Sequence, residues 1–454
     1  RIIDNAAVAA AFDCGPEVRV TAIFLSADRE WEFFGYGANR LYYTEQLLRS
    51  LSVQLSHSGV LLKVVRLERY ADQANWLSNY CQKEQVTDLY FNQQYQLNER
   101  IRDHSLTDLI SPSRVHSFVD RVLLQPGSVM TADGRYYSVF SPFKKRWLSK
   151  IQADRHMPFC TNKINRPIIS RLDWDPLCLE PESDLSAFET TEAGALKALE
   201  RFTANNMEYY NDKRNGPCQN GTSRLSAYLA RGLLSPRQCI AAAEAQMNRP
   251  LWDFSDAAFS WVNELIWRDF YQHLLVGFPQ LSKSKAFRPE TEALQWRNEP
   301  DEIVAWKSGQ TGIPIVDAGI RELKTTGWMH NRVRMIVAQF LTKNLLCDWR
   351  IGEAYFMRYL VDSDLGANNG GWQWSASTGT DAAPYFRVFN PVSQSETHDP
   401  EGSYLTRYIP ELASLPPKKR HAPWLTRLPK NYPAPIIDLK NSRQRAIDAF
   451  KNLK

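Results

Sequence analysis

No stretch of the 454 residues approaches the roughly 18 consecutive apolar positions that a membrane-crossing helix needs. That excludes a helical membrane protein. Neither sign of charge dominates: 55 Lys and Arg against 50 Asp and Glu leave a net +5. A polyanionic partner therefore requires the positive charge to be clustered. Two small clusters exist, Lys144-Lys145-Arg146 and Lys418-Lys419-Arg420, and both also read as ordinary solvated surface. The seven cysteines are few, odd in number and widely spread. No Cys-x-x-Cys pair and no zinc-spaced His pair occurs, so neither a disulfide framework nor a metal site is expected. Free thiols fit a reducing cytoplasm, and no signal peptide is seen. No P-loop sequence is present. The one Gly-rich candidate, Gly35-Tyr36-Gly37-Ala38-Asn39-Arg40, lacks the third glycine of a dinucleotide fingerprint and does not directly follow a strand.

What is abundant is aromatic. Trp 14, Tyr 19 and Phe 21 accompany a 43% hydrophobic, 23% charged composition with mean hydropathy −0.43. Such a chain is globular and long enough for two or three domains. Nine of the 14 tryptophans lie between Trp252 and Trp374, where even spreading would put about four. A well-packed helical core explains this by itself.

The first ~120 residues alternate strand and helix signals. Val18–Leu25, Leu61–Leu67 and Asp88–Asn92 read as buried strands; Arg40–His57, Asp72–Glu84 and Tyr95–Ile110 read as helices. The alternation predicts a parallel sheet with helices on its faces. Asp4–Phe12 reads as a capped helix with no strand before it, which, with Arg1 in place of Met, implies a truncated start. Residues 122–193 carry many Pro and Gly turn signals and read as a long connector lying on the domains. From Gly194 helical periods dominate: Ala195–Tyr209, Ser223–Arg231, Pro236–Met247, Phe259–Val276, Ile315–Thr325, Arg332–Leu346, Glu353–Val361 and Ser442–Leu453. The expected fold is α/β plus all-α: a parallel-sheet domain over 1–121, a connector over 122–193 and a helical domain over 194–454.

Four constellations could carry chemistry. Gly221-Thr222-Ser223-Arg224-Leu225-Ser226 opens a helix, where free N–H groups, hydroxyls and an arginine would suit a pyrophosphate; an N-cap by Thr222 or Ser223 explains the same residues. Glu264, Trp267, Arg268 and Tyr271 share one helix face. There the indole would stack on a ring, the carboxylate accept from an N–H and the guanidinium approach a phosphate. An ion pair between Glu264 and Arg268 beside core aromatics is the alternative. Asn331, Arg334 and Met335 also share a face, with His330 beside them as a structural donor. Asp362, Asp364, Asn368, Asn369, Trp372 and Trp374 place carboxylates, amides and indoles around a Gly-Gly turn. This suits a polar ring better than a metal.

At these residues the chain resembles the DNA photolyase/cryptochrome family, and within it the bacterial class I cyclobutane pyrimidine dimer photolyases. The matching stretches are GTSRLS (221–226), WVNELIWRDFY (261–271), TGWMHNRVRM (326–335), LLCDWRIGEAYF (345–356), DLGANNGGWQWSASTGTDAAPYFRVFNP (364–391) and YFNQQYQLNER (90–100). The family's first strand and the segment after it have no counterpart ahead of Arg1.

The resemblance implies an antenna domain, a connector and a helical domain that holds FAD and binds DNA. It also implies light-driven splitting of a flipped-out pyrimidine dimer in double- or single-stranded DNA by reduced FAD. Tyr210, Thr222, Ser223, Arg224, Leu225 and Ser226 correspond to FAD-phosphate contacts. Arg334, Asp362 and Asp364 correspond to isoalloxazine contacts, Asn368 to the residue facing flavin N5, and Glu264, Arg268 and Asn331 complete the FAD set. Glu264, Trp267, Asn331 and Met335 match dimer-pocket residues. Arg214, Arg332 and Arg387, with Trp267, match DNA contacts. Trp372, Trp349 and Trp296 match an electron-transfer chain. Asn98, Glu99 and Lys283 match residues that bind a 5,10-methenyltetrahydrofolate antenna, although Trp31-Glu32-Phe33-Phe34 stands where the family often has a His. A cytoplasmic monomer, associated with the nucleoid when on DNA, is expected. The readings that compete are a cryptochrome-like photoreceptor without efficient repair, a (6-4) photolyase and a non-catalytic DNA-damage binder.

Overall fold

The computed structural model describes the chain except for Pro16, residues 112–113, 154–166 and 255–256, Arg427 and Lys454. The chain divides into two compact units. The first comprises residues 1–181, 186–208 and 223–282; the second comprises 182–185, 209–222 and 283–454.

The first unit opens with α1 (Ala6–Phe12), capped by the Asn5 side chain, which accepts from Val8 N. There follow β1 (Thr21–Leu25), α2 (Asp28–Phe33), α3 (Ala38–His57), β2 (Leu61–Val65), α4 (Tyr70–Lys83), β3 (Leu89–Asn92), α5 (Leu97–Leu109) and β4 (Val115–Phe118). The strands are parallel, as the alternation predicts, but they form two separate two-stranded sheets, β1 with β2 and β3 with β4. They are also less enclosed than their apolar runs suggest. Among these strand residues only Leu62 is fully buried. Among the described residues each strand pairs with one other strand. Phe12, Leu48, Leu55, Val60, Leu62 and Leu177 make one core; Ala74, Leu77, Cys81, Leu106 and Ile110 make a second.

Two residues of the segment read as a connector, Trp174 and Leu177, pack on this unit. The Trp174 indole donates to Glu45 of α3 at 3.1 Å, Leu177 N donates to the same carboxylate at 3.1 Å, and the Arg49 guanidinium sits over the Trp174 ring. The connector also contains a 14-residue helix that the turn signals concealed, α6 (Phe140–Ala153). Pro142 falls in its first turn, where a missing N–H costs nothing. Helices α7 (Glu192–Asn205), α9 (Ser226–Arg231), α10 (Pro236–Met247) and α11 (Ala257–Gly277) complete the unit. Helix α10 has the bounds the sequence predicts. Ser235 and Gln238 form a capping box, Pro236 holds the first position, and Asn248 turns left-handed at the end.

The second unit is helical: α8 (Tyr210–Lys213), α12 (Pro300–Ser308), α13 (Pro314–Thr326), α14 (Asn331–Gln339), α15 (Trp349–Tyr359), α16 (Leu365–Ala376), α17 (Pro391–His398), α18 (Ser403–Tyr408), α19 (Pro417–Arg420) and α20 (Leu439–Lys451). Its core gathers Trp306, Ile320, Val333, Phe340, Trp349 and Trp372. The single helix expected over Arg332–Leu346 ends at Gln339 and continues as a wide π turn, Phe340–Asn344, with all five residues buried. No helix of the described residues is long and apolar enough to cross a membrane.

Candidate functional site

In the first unit, Glu264, Trp267, Arg268 and Tyr271 lie on one stripe of α11, as their spacing requires. All four are half-buried, whereas Trp261, Val262, Leu265, Ile266, Asp269 and Phe270 on the same helix are buried. The Arg268 guanidinium donates to the carbonyls of Arg121 and, at 3.4 Å, Leu229. The Trp267 ring lies flat on Phe140 of α6, with centroids 3.6 Å apart and planes within 6°.

Beneath this stripe is a group the sequence reading passed over. Asp269 is fully buried and its Oδ2 accepts from Leu123 N (3.0 Å), Leu124 N (3.3 Å) and Trp147 Nε1 (3.1 Å). Burial pushes its carboxyl up to about 6 against the pull of Arg268 and these donors. One turn on, His273 bonds Leu124 O at 2.9 Å, and burial holds it down to about 4, so it is neutral and donates Nε2–H. Its position inside the recognised WVNELIWRDFY run was the only signal that Asp269 mattered.

The hydroxyl-rich segment behaves differently from a simple cap. Helix α9 starts at Ser226 with Leu225 as N-cap and no side-chain cap bond, so neither Thr222 nor Ser223 caps it. Arg224 adopts a left-handed backbone, φ 53°, and is exposed. Leu225 is buried; Ser223 and Ser226 lie with it in the first unit, and Thr222 in the second. Gly221 has no room for a side chain, since a Cβ would come within 2.4–2.6 Å of Lys213.

Asn98 and Glu99 both sit in the first turn of α5. Asn98 Nδ2 reaches Glu30 at 3.5 Å, whereas Glu99 is buried against the Tyr70 hydroxyl, and burial raises its pKa. Glu99 lines a cavity of about 340 Å³ with Trp31, Tyr36, Tyr70 and Arg102. Phe33 projects into solvent, 83% exposed. Lys283 is exposed and lies in the second unit.

In the second unit, Arg334 donates to Met329 O at 2.7 Å and to Asp362 Oδ2 at 2.9 Å. Asp362 is buried, and its Oδ1 has no hydrogen-bond partner among the described residues. Asp364 caps α16 by accepting from Ala367 N. On that helix Asn368 donates Nδ2 to Glu353 O at 3.0 Å, which leaves Oδ1 as an acceptor. Asn369 donates to the Glu353 carboxylate at 2.8 Å and accepts from Gln373 at 2.8 Å. Burial pushes Glu353 up to about 7.

His330 is the N-cap of α14 and accepts from Arg332 N, so its ring serves the helix start as an acceptor, where the sequence reading expected a donor. Asn331 and Met335 lie on α14 and are not fully buried. Arg332 donates to Asn215 Oδ1 at 2.8 Å; burial and then the nearby Arg214 charge lower its pKa. The Arg214 guanidinium also lies over the buried Tyr210 ring. Arg387 is exposed.

Trp372 and Trp349 are fully buried in one core, and Trp296 packs at its margin. A Cβ on Gly352 would come within 2.0 Å of the Trp372 ring, so the glycine makes room for that indole against α15, the helix Trp349 begins.

The chain as a whole is similar to known proteins. Residues 261–452 match a family model described as the FAD binding domain of DNA photolyase, and residues 1–161 match one described as DNA photolyase. The deoxyribodipyrimidine photo-lyase of Escherichia coli (strain K12) is 39% identical over 99% of this chain and 96% of its own length. The chain belongs to the DNA photolyase family. The photo-lyase of Vibrio cholerae is 38% identical over 100% of this chain and 98% of its own. Among solved structures, a bacterial class III photolyase from Agrobacterium tumefaciens superposes with TM-score 0.86 at 31% identity, covering 100% of this chain and 95% of that one. A Synechocystis cryptochrome superposes with TM-score 0.87 at 26% identity, covering 99% and 96%. The photolyase chain thus carries an FAD-binding domain, and the geometry suits that cofactor. The unpartnered, buried Asp362 Oδ1 beside Arg334 offers an acceptor and a donor to the N–H and carbonyl edge of an isoalloxazine. Among the described residues, no group of His, Cys, Asp or Glu could hold a metal ion.

Proposed function

We propose that the protein is a deoxyribodipyrimidine photo-lyase that repairs cyclobutane pyrimidine dimers in UV-damaged DNA under blue or near-UV light. The observation that carries this is the Arg334–Asp362 pair with its free carboxylate oxygen, in a chain nearly co-extensive with photo-lyases of 38–39% identity. When bound and reduced, FAD supplies the photoexcited electron that opens the cyclobutane ring and takes it back afterwards.

The chain's own residues bind and orient. Arg334, Asp362 and Asp364 hold the ring system. The fixed amide of Asn368 presents Oδ1 where a protonated flavin N5 would donate. Tyr210, Thr222, Ser223, Arg224, Leu225 and Ser226 serve the phosphates, with Glu264, Arg268 and Asn331 completing the FAD contacts. A dimer must leave the duplex to be reached, which costs a few kcal/mol and less for a poorly stacked lesion. Trp267 offers a stacking surface that returns about 1–3 kcal/mol per base, Glu264 accepts from the dimer's N–H groups, and Asn331 and Met335 contact it. Arg214, Arg332 and Arg387 take phosphates. Trp372, Trp349 and Trp296 relay electrons, in order from buried to marginal.

A methenyltetrahydrofolate antenna near Asn98, Glu99 and Lys283 is the finer proposal. Glu99 lines a partly open cavity, where its carboxyl could meet such a ligand. Functionally we divide the chain into antenna domain 1–121, connector 122–193 and catalytic domain 194–454, acting as a cytoplasmic monomer.

Purified protein should show a flavin spectrum and, when illuminated, restore a thymine-dimer oligonucleotide. Colourless protein overturns the reading, and flavin without repair transfers the chain to the photoreceptor class. Glu264→Gln and Trp267→Ala should each weaken dimer binding more than binding to undamaged duplex; equal losses on both DNAs would refute these two roles.

A further inference from the structure

Trp267 is half-buried, and a partly exposed indole on a helix ordinarily samples several rotamers. Here it does not stand alone. Phe140, the first residue of α6, is itself buried and lies parallel to the indole at 3.6 Å, almost without offset. Phe270 meets the indole edge-on at 5.7 Å and 73°, and Tyr271 lies against it at 5.6 Å and 31°. Phe140 in turn meets Phe270 edge-on at 5.7 Å and 67°. The Lys144 ammonium lies 5.7 Å from the Phe140 ring and 5.5 Å from Phe259, and a cation beside a ring makes it a better partner for an electron-rich indole.

Helix α6 is in turn fastened to α11 independently of Trp267. Trp147 donates to Asp269, and Phe143 packs on Phe270 at 5.0 Å and on His273 at 5.1 Å. A planar ring has two faces. Phe140 covers one, and the indole as a whole stays only half-buried.

We propose that Phe140 is the positioning residue for the Trp267 platform: a connector helix backs the indole so that one prepared face remains for the flipped pyrimidine dimer. This rests on the reading of Trp267 as the dimer platform. The gain is preorganisation. A ring already fixed loses no rotamer freedom when a base stacks on it, so the stacking free energy appears in lesion affinity.

The test is binding to matched duplexes with and without a thymine dimer, in the dark, using full-length protein. Phe140→Leu and Phe140→Met, both close in volume and non-aromatic, should weaken dimer binding about threefold to tenfold while undamaged-duplex affinity changes less than about twofold. Phe140→Tyr should restore dimer binding, which a purely space-filling role would not distinguish from Leu. In a Trp267→Ala background Phe140→Leu should cause no further loss, because its effect acts through the indole. Thermal melting identifies folded variants, and either aliphatic variant suffices. Unchanged dimer affinity in a folded aliphatic variant, or equal losses on both duplexes, overturns the proposal. If Trp267→Ala itself leaves dimer affinity intact, the platform reading fails and the brace falls with it; if Trp267→Ala weakens binding and Phe140→Leu does not, only the brace fails.

Discussion

Asp269 is a carboxylate that the fold encloses and then equips with three donors. Because its pKa stands at about 6 in the folded protein against 3.8 when free, the folded state binds more protons between those values. Stability should therefore fall as pH rises from about 4 through 6, and the cost, about 3 kcal/mol, is fully present at neutral pH. Asp269→Asn keeps an acceptor oxygen and removes the charge, so urea titrations across pH 4–8 should show a shallower slope. Asp269→Ala strands Leu123 N, Leu124 N and Trp147 Nε1 together and should cost about 3–5 kcal/mol at pH 7. A variant as stable as the parent would contradict this account of the donors. At this scale the sequence was uneven. Glu264, Trp267, Asn331 and Asn368 stand out as candidates because they sit in recognisable runs. The Asp362 oxygen without a partner, the burial of Glu99 and the Phe140 stack do not, since each depends on residues far apart in the chain.

Helix α16 shows why elements were harder to read than sites. Its NNGGWQW sequence has low helix propensity, yet Asp364 caps its start and the left-handed Ser377 ends it. Packing of Trp372 against Gly352 then overrides local preference. Gly352→Ala should push that indole out of place and destabilise the protein by about 2 kcal/mol or more, with altered near-UV circular dichroism. Trp349→Phe should preserve the packing and slow photoreduction of oxidised FAD, while repair by pre-reduced enzyme stays intact; a matched loss in both assays would refute the relay. The same logic explains α6, hidden by Pro142 in its first turn, and the π turn after α14. There Lys343 is buried, donates to Ala376 O and Ser377 Oγ, and lies over the Phe450 ring. A period of 3.6 residues cannot announce a turn wound more widely.

For the whole molecule, a net charge of +5 sets only a modest background field, so affinity for DNA must come from placed arginines. If Arg214, Arg332 and Arg387 each neutralise one phosphate, log affinity should fall with log salt at a slope near −2.7, and Arg387→Ala should reduce that slope by about 0.9. A slope unchanged by Arg387→Ala would remove that residue from the interface. The helical part and the α/β part were both legible as classes, because helical and strand periods differ and several helices carry complete caps. The number of sheets was not, because pairing joins segments that no local pattern links.

That pairing has a consequence for local opening. In a two-stranded parallel ladder each strand directs only about half of its N–H groups at its partner. Hydrogen–deuterium exchange should therefore show protection at the amides that β1 and β2, and β3 and β4, direct at each other. The buried amides of α13, α14 and α16 should exchange only near global unfolding. The Arg334–Asp362 pair, carried by α14 and the turn before α16, would then be among the last parts to open.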